Sequence, residues 1–261
     1  MFQSVKYFFS RYELFWFLVV ARLKLTKKDL MLGYIWWLLD PLILMLVYWF
    51  LVTIIFQRGG ENYAFFILCG LLPFRAVSSS VNQSVSSVAS KFNLISQINF
   101  PRIFLPLADV LANHIKLLAG FIIILLVGSF FGFWPTVYFP LVLLPFIVQL
   151  LLVSGISLFM SIFGSYVRDI RNLTPFFTRF WMYTSPVLYS GKDIPEDLTA
   201  FFNLNPMVPV IESYRAIFMQ HDITVISLAS SLLPAFLVAI VLLFVGLVFF
   251  LRYENNILKR L

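Results

Sequence analysis

Residues 103–133 and 137–164 hold only Asp109, His114 and Lys116 as potentially charged side chains, and this restricts the fold more than any other feature. A bilayer-crossing helix needs about 20 mostly apolar residues. In hydrocarbon, only helices or closed barrels satisfy every backbone N–H and C=O. The period-2 alternation of barrel strands is missing, so these runs read as helices. Four further apolar runs make six in all, at about 32–56, 63–90, 103–131, 137–164, 173–190 and 224–251. The expected fold is an all-α integral membrane protein, one transmembrane domain over residues 1–261.

Charge supplies the topology. Six spans put both termini on one side. That side gathers Lys6, Arg11, Arg22, Lys24, Lys27, Lys28, Lys91, Arg102, Arg168, Arg171, Arg252, Lys259 and Arg260. The other side has only Arg58, Lys192 and Arg215, beside Glu61, Asp193, Glu196, Asp197, Glu212 and Asp222. The bias places both termini in the cytoplasm. It also explains the net charge of +7 without a nucleic-acid partner, because the bases sit at helix ends and do not cluster on one face. Cys69 is the single cysteine and lies in an apolar run, so it reads as packing.

Residues 1–31 precede the first span. Val5, Phe8, Tyr12, Phe15, Val19 and Leu23 recur at helical spacing, with Lys6, Ser10 and Glu13 on another face. That pattern suits an interfacial helix lying along the membrane.

Several places depart from plain apolar helix. In the second span, Ser79, Asn82, Ser86 and Ser90 form one polar stripe. It reads equally as a hydrogen-bonding wall of a conduit or as serine-mediated helix packing. On the fifth span Phe176, Phe180 and Tyr183 share a face beside Phe177 and Trp181, and the first span offers Trp36, Trp37, Tyr48 and Trp49. These rings fit an interfacial aromatic belt, or a surface on which the apolar faces of sugars pack. Asp109, Asn113 and Lys116 share a face of the third span, while Asp40, Arg75 and Arg179 stand alone in sequence. Intramembrane charges usually pair inside the bundle; a proton relay would need an acid–base ladder, and only His114 and His221 are available.

Two connections stand out. Residues 191–222 are apolar in patches but broken by Asn205-Pro206 and Pro209, which suits two short helices dipping into the membrane or a surface loop. The inner connection 91–102 is short and apolar, with Leu94, Ile95 and Ile98 on one face and Pro101 as its stop. An exposed apolar helix on a membrane protein marks a docking site for a partner.

Bond-making machinery is missing from the sequence. There is no G-x-x-x-x-G-K-[ST], H-E-x-x-H, cysteine cluster or G-x-S-x-G. The expectation is a transporter subunit that takes its energy from another polypeptide, with no catalytic residue, metal or cofactor of its own.

Leu32-Gly33-Tyr34-Ile35-Trp36, Asp40-Pro41-Leu42, Gly70-Leu71-Leu72-Pro73-Phe74 and Asn93-Leu94-Ile95 together resemble type-2 ABC exporter permeases for polysaccharides. Phe100-Pro101-Arg102, Arg168-Asp169-Ile170, Ser185-Pro186-Val187-Leu188-Tyr189 and Leu204-Asn205-Pro206-Met207 continue the resemblance in order, with Arg215 after them. One departure is Asp40, where the pattern has a neutral asparagine. The resemblance implies a multi-pass protein of the bacterial inner membrane that pairs with itself around a channel. It also implies two copies of a nucleotide-binding ATPase, which alone would bind ATP-Mg, and a lipid-linked polysaccharide substrate of the O-antigen, capsule or teichoic-acid kind. By the same resemblance Asn93, Leu94, Ile95, Ser96, Gln97, Ile98, Asn99, Phe100, Pro101 and Arg102 form the coupling segment. Trp36, Trp37, Asp40 and Arg179 would border a lateral opening, and Asn205, Pro206, Glu212 and Arg215 would belong to an outer gate. Ser79, Asn82, Ser86, Phe176, Phe180 and Tyr183 are the candidate channel lining. The alternatives are a type-2 permease for a drug, haem or lipid, and a polytopic membrane glycosyltransferase, for which Glu212 and Arg215 are the only suggestive pair.

Overall fold

The computed structural model describes residues 12–25, 35–91, 101–191, 194–219 and 224–257. All regular structure among them is helical. The helices are α1 (Tyr12–Leu25), α2 (Ile35–Trp49), α3 (Tyr63–Ser87), α4 (Phe104–Phe130) and α5 (Leu143–Tyr166). They continue as α6 (Asp169–Tyr183), α7 (Glu196–Asn203), α8 (Met207–Met219) and α9 (Val225–Ile257). A π-helical stretch, Phe50–Ile55, prolongs α2, and positive φ at Gln57 and Gly59 turns the chain back toward α3.

Among the described residues, four segments are long and apolar enough to cross a membrane: Tyr63–Ser87, Phe104–Phe130, Phe139–Tyr166 and Val225–Glu254. The apolar helix Leu39–Ile55 is shorter. The run expected at 173–190 is helical from Asp169 to Tyr183 only. Its 15 residues reach about 22 Å at 1.5 Å per residue, against a hydrocarbon core of about 30 Å. Pro186 explains the early end, since a proline disfavours helix at the residue before it. Two short helices, α7 and α8, lie within the stretch 191–222.

The helix α3 is the hub. It packs against α2, α4, α5, α6 and α8, so most of its surface is buried. The most extensive pairing joins α5 to α9. There the backbones touch: a Cβ on Gly155 would lie 2.5 Å from the Leu242 carbonyl carbon, and one on Gly246 would lie 2.6 Å from the Gly155 oxygen. Without a hydrophobic drive between helices in lipid, such close van der Waals approach at small residues supplies the association. The opposite side of α9 shows Ile226, Leu237, Val241, Phe244 and Val248 to the surroundings.

At one end of the bundle α1 lies against the start of α4. Leu18 and Val19 are buried there, and Phe15 meets the Phe104 ring at 5.3 Å. The outward side of α1 carries exposed Tyr12, Trp16 and Phe17. The helix is therefore apolar on two sides, one packed on α4 and one exposed, where the spacing of its residues predicted a single apolar face.

Candidate functional site

Two regions on either side of α3 hold most of the residues singled out from the sequence. The first is built on the turn after α6. Arg215 of α8 is 7% exposed, yet among the described residues no carboxylate hydrogen-bonds to its guanidinium. Instead Nη2 donates to the Val187 carbonyl at 2.6 Å, Nη1 to Tyr189 at 3.3 Å and Nε to Phe66 at 3.4 Å. The Phe66 ring covers it at 3.5 Å. Tyr63 Oη donates to Leu188 O at 2.5 Å, so three successive carbonyls of the turn are taken by side chains. A charge removed from water demands such compensation. Burial lowers the Arg215 pKa to about 10, against the pull of Glu212 and other neighbours. Burial also raises the Glu212 carboxyl, and Arg215 opposes that shift.

Gly70 makes room for the caged guanidinium. A Cβ there would sit 2.8 Å from Arg215 Nη2. The motif Gly70-Leu71-Leu72-Pro73 thus has a packing reason for its first residue. Its last presents a carbonyl to which Gln149 Nε2 donates at 3.1 Å.

Asn205 completes the same region. Its Oδ1 accepts from Met207 N at 3.0 Å, the cap expected where a proline opens a helix. The same oxygen accepts from Trp181 Nε1 at 2.9 Å. Its Nδ2 donates to Thr184 O at 3.1 Å and Ser185 Oγ at 2.9 Å. Both donors and both acceptor sites of the amide are filled. Asn205-Pro206 therefore fastens α8 to the end of α6. Arg215 directs Nε, Nη1 and Nη2 each to a backbone carbonyl, with Glu212 nearby.

The second region is a seam among α2, α3 and α6. Asp40 and Arg75, 35 residues apart in sequence, form an ion pair between α2 and α3. Asn82 Nδ2 donates to Thr178 Oγ1 of α6 at 3.2 Å, and Trp181 meets Phe74 edge-on at 5.8 Å. Tyr48 of α2 lies in hydrogen-bond reach of Tyr183 of α6. The polar stripe of α3 divides accordingly. Ser79, Asn82 and Ser86 are half-buried toward the seam, while Ser80, Ser84 and Ser87 are fully buried against other helices. Ser80 Oγ donates back to Ala76 O at 2.6 Å and Ser87 Oγ to Ser84 O at 2.8 Å, both within their own helix.

On the outer side of this seam α6 presents Phe176, Phe177, Phe180 and Tyr183, each more than half exposed, with exposed Arg179 among them. The Arg179 guanidinium stands 6.0 Å from the Phe176 ring. Trp36 is also exposed, whereas the side chain of Trp37 lies outside the described residues.

A third cluster lies at the end of the bundle where α1 packs on α4. Arg22 of α1 pairs with Asp109, which is fully buried on α4. Asn113 donates to Gln83 Oε1 at 3.2 Å, and Lys116 to Asn113 Oδ1 at 3.4 Å. Lys91 lies near Arg22 and Asp109; burial and then Arg22 lower its pKa, and Asp109 opposes them. Of the expected coupling segment, 93–100 lies outside the described residues. Arg102, at its end, donates to Glu254 O of α9 at 3.0 Å. Sequence reasoning missed Arg22, Gln83, Thr178 and Gln149 as partners, since nothing in their local pattern names a contact tens of residues away.

Comparison with known proteins agrees with the motifs. A profile for the ABC-2 type transporter family matches residues 13–219. The O-antigen export system permease protein RfbA of Myxococcus xanthus is 31% identical over 209 residues, covering 78% of this chain and 79% of the relative. A protein of the same name from Klebsiella pneumoniae is 28% identical over 224 residues, covering 83% and 85%. The polysialic acid transport protein KpsM of Escherichia coli is 25% identical over 230 residues, covering 87% and 88%. With its apolar helices and a match across most of its length, the chain is a multi-pass membrane protein of the ABC-2 type transporter family.

Proposed function

We propose that the chain is the membrane-spanning subunit of an ATP-driven exporter that moves a lipid-linked polysaccharide, of the O-antigen kind, from the cytoplasm across the inner membrane. The observation that carries this reading is Arg179 on the exposed aromatic face of α6. An arginine facing hydrocarbon costs several kcal/mol, about 3 or more on insertion scales, so this face borders a polar route. Phe176, Phe180 and Tyr183 around it offer flat apolar surfaces that suit sugar rings. The relatives named for O-antigen and polysialic acid export support the same cargo class.

In this reading two copies enclose the route. The apolar runs at 32–56 and 173–190 complete six spans with both termini in the cytoplasm. The α2–α6 border, with Trp36, Trp37, Asp40 and Arg179, is the lateral entrance for the lipid-linked end. Ser79, Asn82 and Ser86 line the inner part. The short helices α7 and α8, with Asn205, Pro206, Glu212 and Arg215, form the outer gate. Residues 91–102 seat in a separate nucleotide-binding ATPase, present in two copies, which holds ATP-Mg. ATP turnover there rocks the coupling segment and widens the route.

The test is a cell in which this chain is the sole exporter of its surface glycan. Replacing Ile95 or Phe100 by Asp should abolish glycan export while the protein still inserts. Alanine at Phe176, Phe180 and Tyr183 together should slow it severalfold. Unchanged surface glycan after deletion of the whole chain would contradict the reading.

A further inference from the structure

The ion pair between Asp40 and Arg75 is unusual in where it stands and how incomplete it is. Arg75 sits at the midpoint of α3, Tyr63–Ser87, the depth at which a charge is most expensive. A pair meant only to tie two helices would be enclosed and bidentate, with both guanidinium edges used. Here the side chains remain 33% and 50% exposed. Only Nη2 reaches the carboxylate, and Nη1 is enclosed without an acceptor among the described residues. An enclosed donor left unmatched is unfavourable by about 1–3 kcal/mol, so a second acceptor is favoured at this point.

A second guanidinium stands at a similar depth. On α6, Thr178 touches Asn82 and Trp181 touches Phe74, so the level of Arg179 falls within the stretch of α3 that contains Arg75. The seam thus holds two guanidiniums and one carboxylate, open on the side where α6 is exposed. Guanidinium forks match phosphate and carboxylate oxygens in geometry and charge.

We propose that Arg75 and Arg179 form a mid-membrane station for an oxyanion of the cargo, and that Asp40 is the resident carboxylate this oxyanion displaces. Between transport events Asp40 neutralises Arg75. When the cargo enters, its oxyanion bridges both guanidiniums and supplies the acceptor that Nη1 lacks, while Asp40 turns to the exposed side. The inference rests on the exporter reading. The oxyanion has two possible sources with one chemistry: the pyrophosphate of a polyprenyl carrier, or an acidic group on the polymer.

The test uses the purified exporter, chain and ATPase together, in lipid nanodiscs. Binding is measured for geranyl pyrophosphate, for a glucuronic-acid tetrasaccharide and for uncharged geraniol. Wild type should bind one or both anionic probes at least tenfold more tightly than geraniol, and the preferred probe identifies the source. Arg75→Gln and Arg179→Gln should each weaken that binding about tenfold. Asp40→Asn should strengthen it about threefold, because the competitor is gone. A purely structural pair gives the opposite sign, with Asp40→Asn and Arg75→Gln both weakening binding. That result, or binding indifferent to both arginines, overturns the proposal. Arg179→Gln changes an exposed residue and keeps the test decidable if Arg75→Gln does not fold. If glycan export still depends on the chain while these affinities do not move, the station fails and the exporter reading stands. If deletion of the chain leaves surface glycan unchanged, the exporter reading itself fails.

Discussion

Arg215 of α8 reaches α3 and Arg75 stands on it, and the contrast between them separates a fastened region from an open one. Arg215 is buried, covered by a ring and bonded to three carbonyls from two segments. Around it Tyr63 and Asn205 pin the same turn and the start of α8. Arg75 is half-exposed and holds one carboxylate by one edge. Backbone carbonyls cannot leave, whereas a single half-exposed carboxylate can exchange for another anion. Rigidity therefore collects at the turn after α6, and exchangeable polar contacts collect along the seam with α2 and α6.

Breaking the fastened region should have the largest effect. Arg215→Leu strands three carbonyls and should destabilise the purified protein by about 3–5 kcal/mol, read as a fall in apparent melting temperature. Arg215→Lys should recover less than half of this, since an ammonium cannot span the three acceptors. Full recovery by lysine would mean that charge alone matters there. Asn205→Ala comes next. It removes a helix cap and three further hydrogen bonds, for about 2–3 kcal/mol, and should raise hydrogen exchange at the start of α8. Gly70→Ala sharpens the picture, because the added methyl meets a guanidinium that has nowhere to move. About 1–3 kcal/mol is expected, and a neutral result would mean the cage is loose. The smallest effect belongs to the seam. A double-mutant thermal cycle on Asp40 and Arg75 should give a coupling of about 1 kcal/mol or less, as for other half-exposed pairs. A coupling of 3 kcal/mol would erase the contrast.

Much of this was legible from residue order. Long, mostly apolar runs name α4, α5 and α9 without ambiguity, and Asn205-Pro206 marks a helix start by the fixed φ of proline. The polar stripe of α3 was visible too, but one helix carries two serine faces, and periodicity alone does not say which one packs. The structure answers through Thr178, a partner 96 residues away from Asn82. Arg22 and Asp109 are 87 residues apart, and no local rule joins them. The end of α6 differs from the expected one because residues 184–190 stay uncharged after the helix stops. Pro186 held the signal, but an uncharged run looks the same in a turn whose carbonyls are pinned by Arg215 and Tyr63. Asp40 looked like an isolated anomaly until Arg75 stood opposite it.

The claim that the exposed face of α6 borders a polar route is open to direct measurement. Cys69 is fully buried, and Cys69→Ser gives a background without thiols. Single cysteines at Phe180 and Arg179 are compared with cysteines at Val241 and Phe244 on the exposed side of α9, using a membrane-impermeant thiol reagent on the reconstituted exporter. The account predicts rapid labelling on α6, faster still during ATP turnover, and almost none on α9. Equal protection of both helices would place α6 against lipid and contradict it.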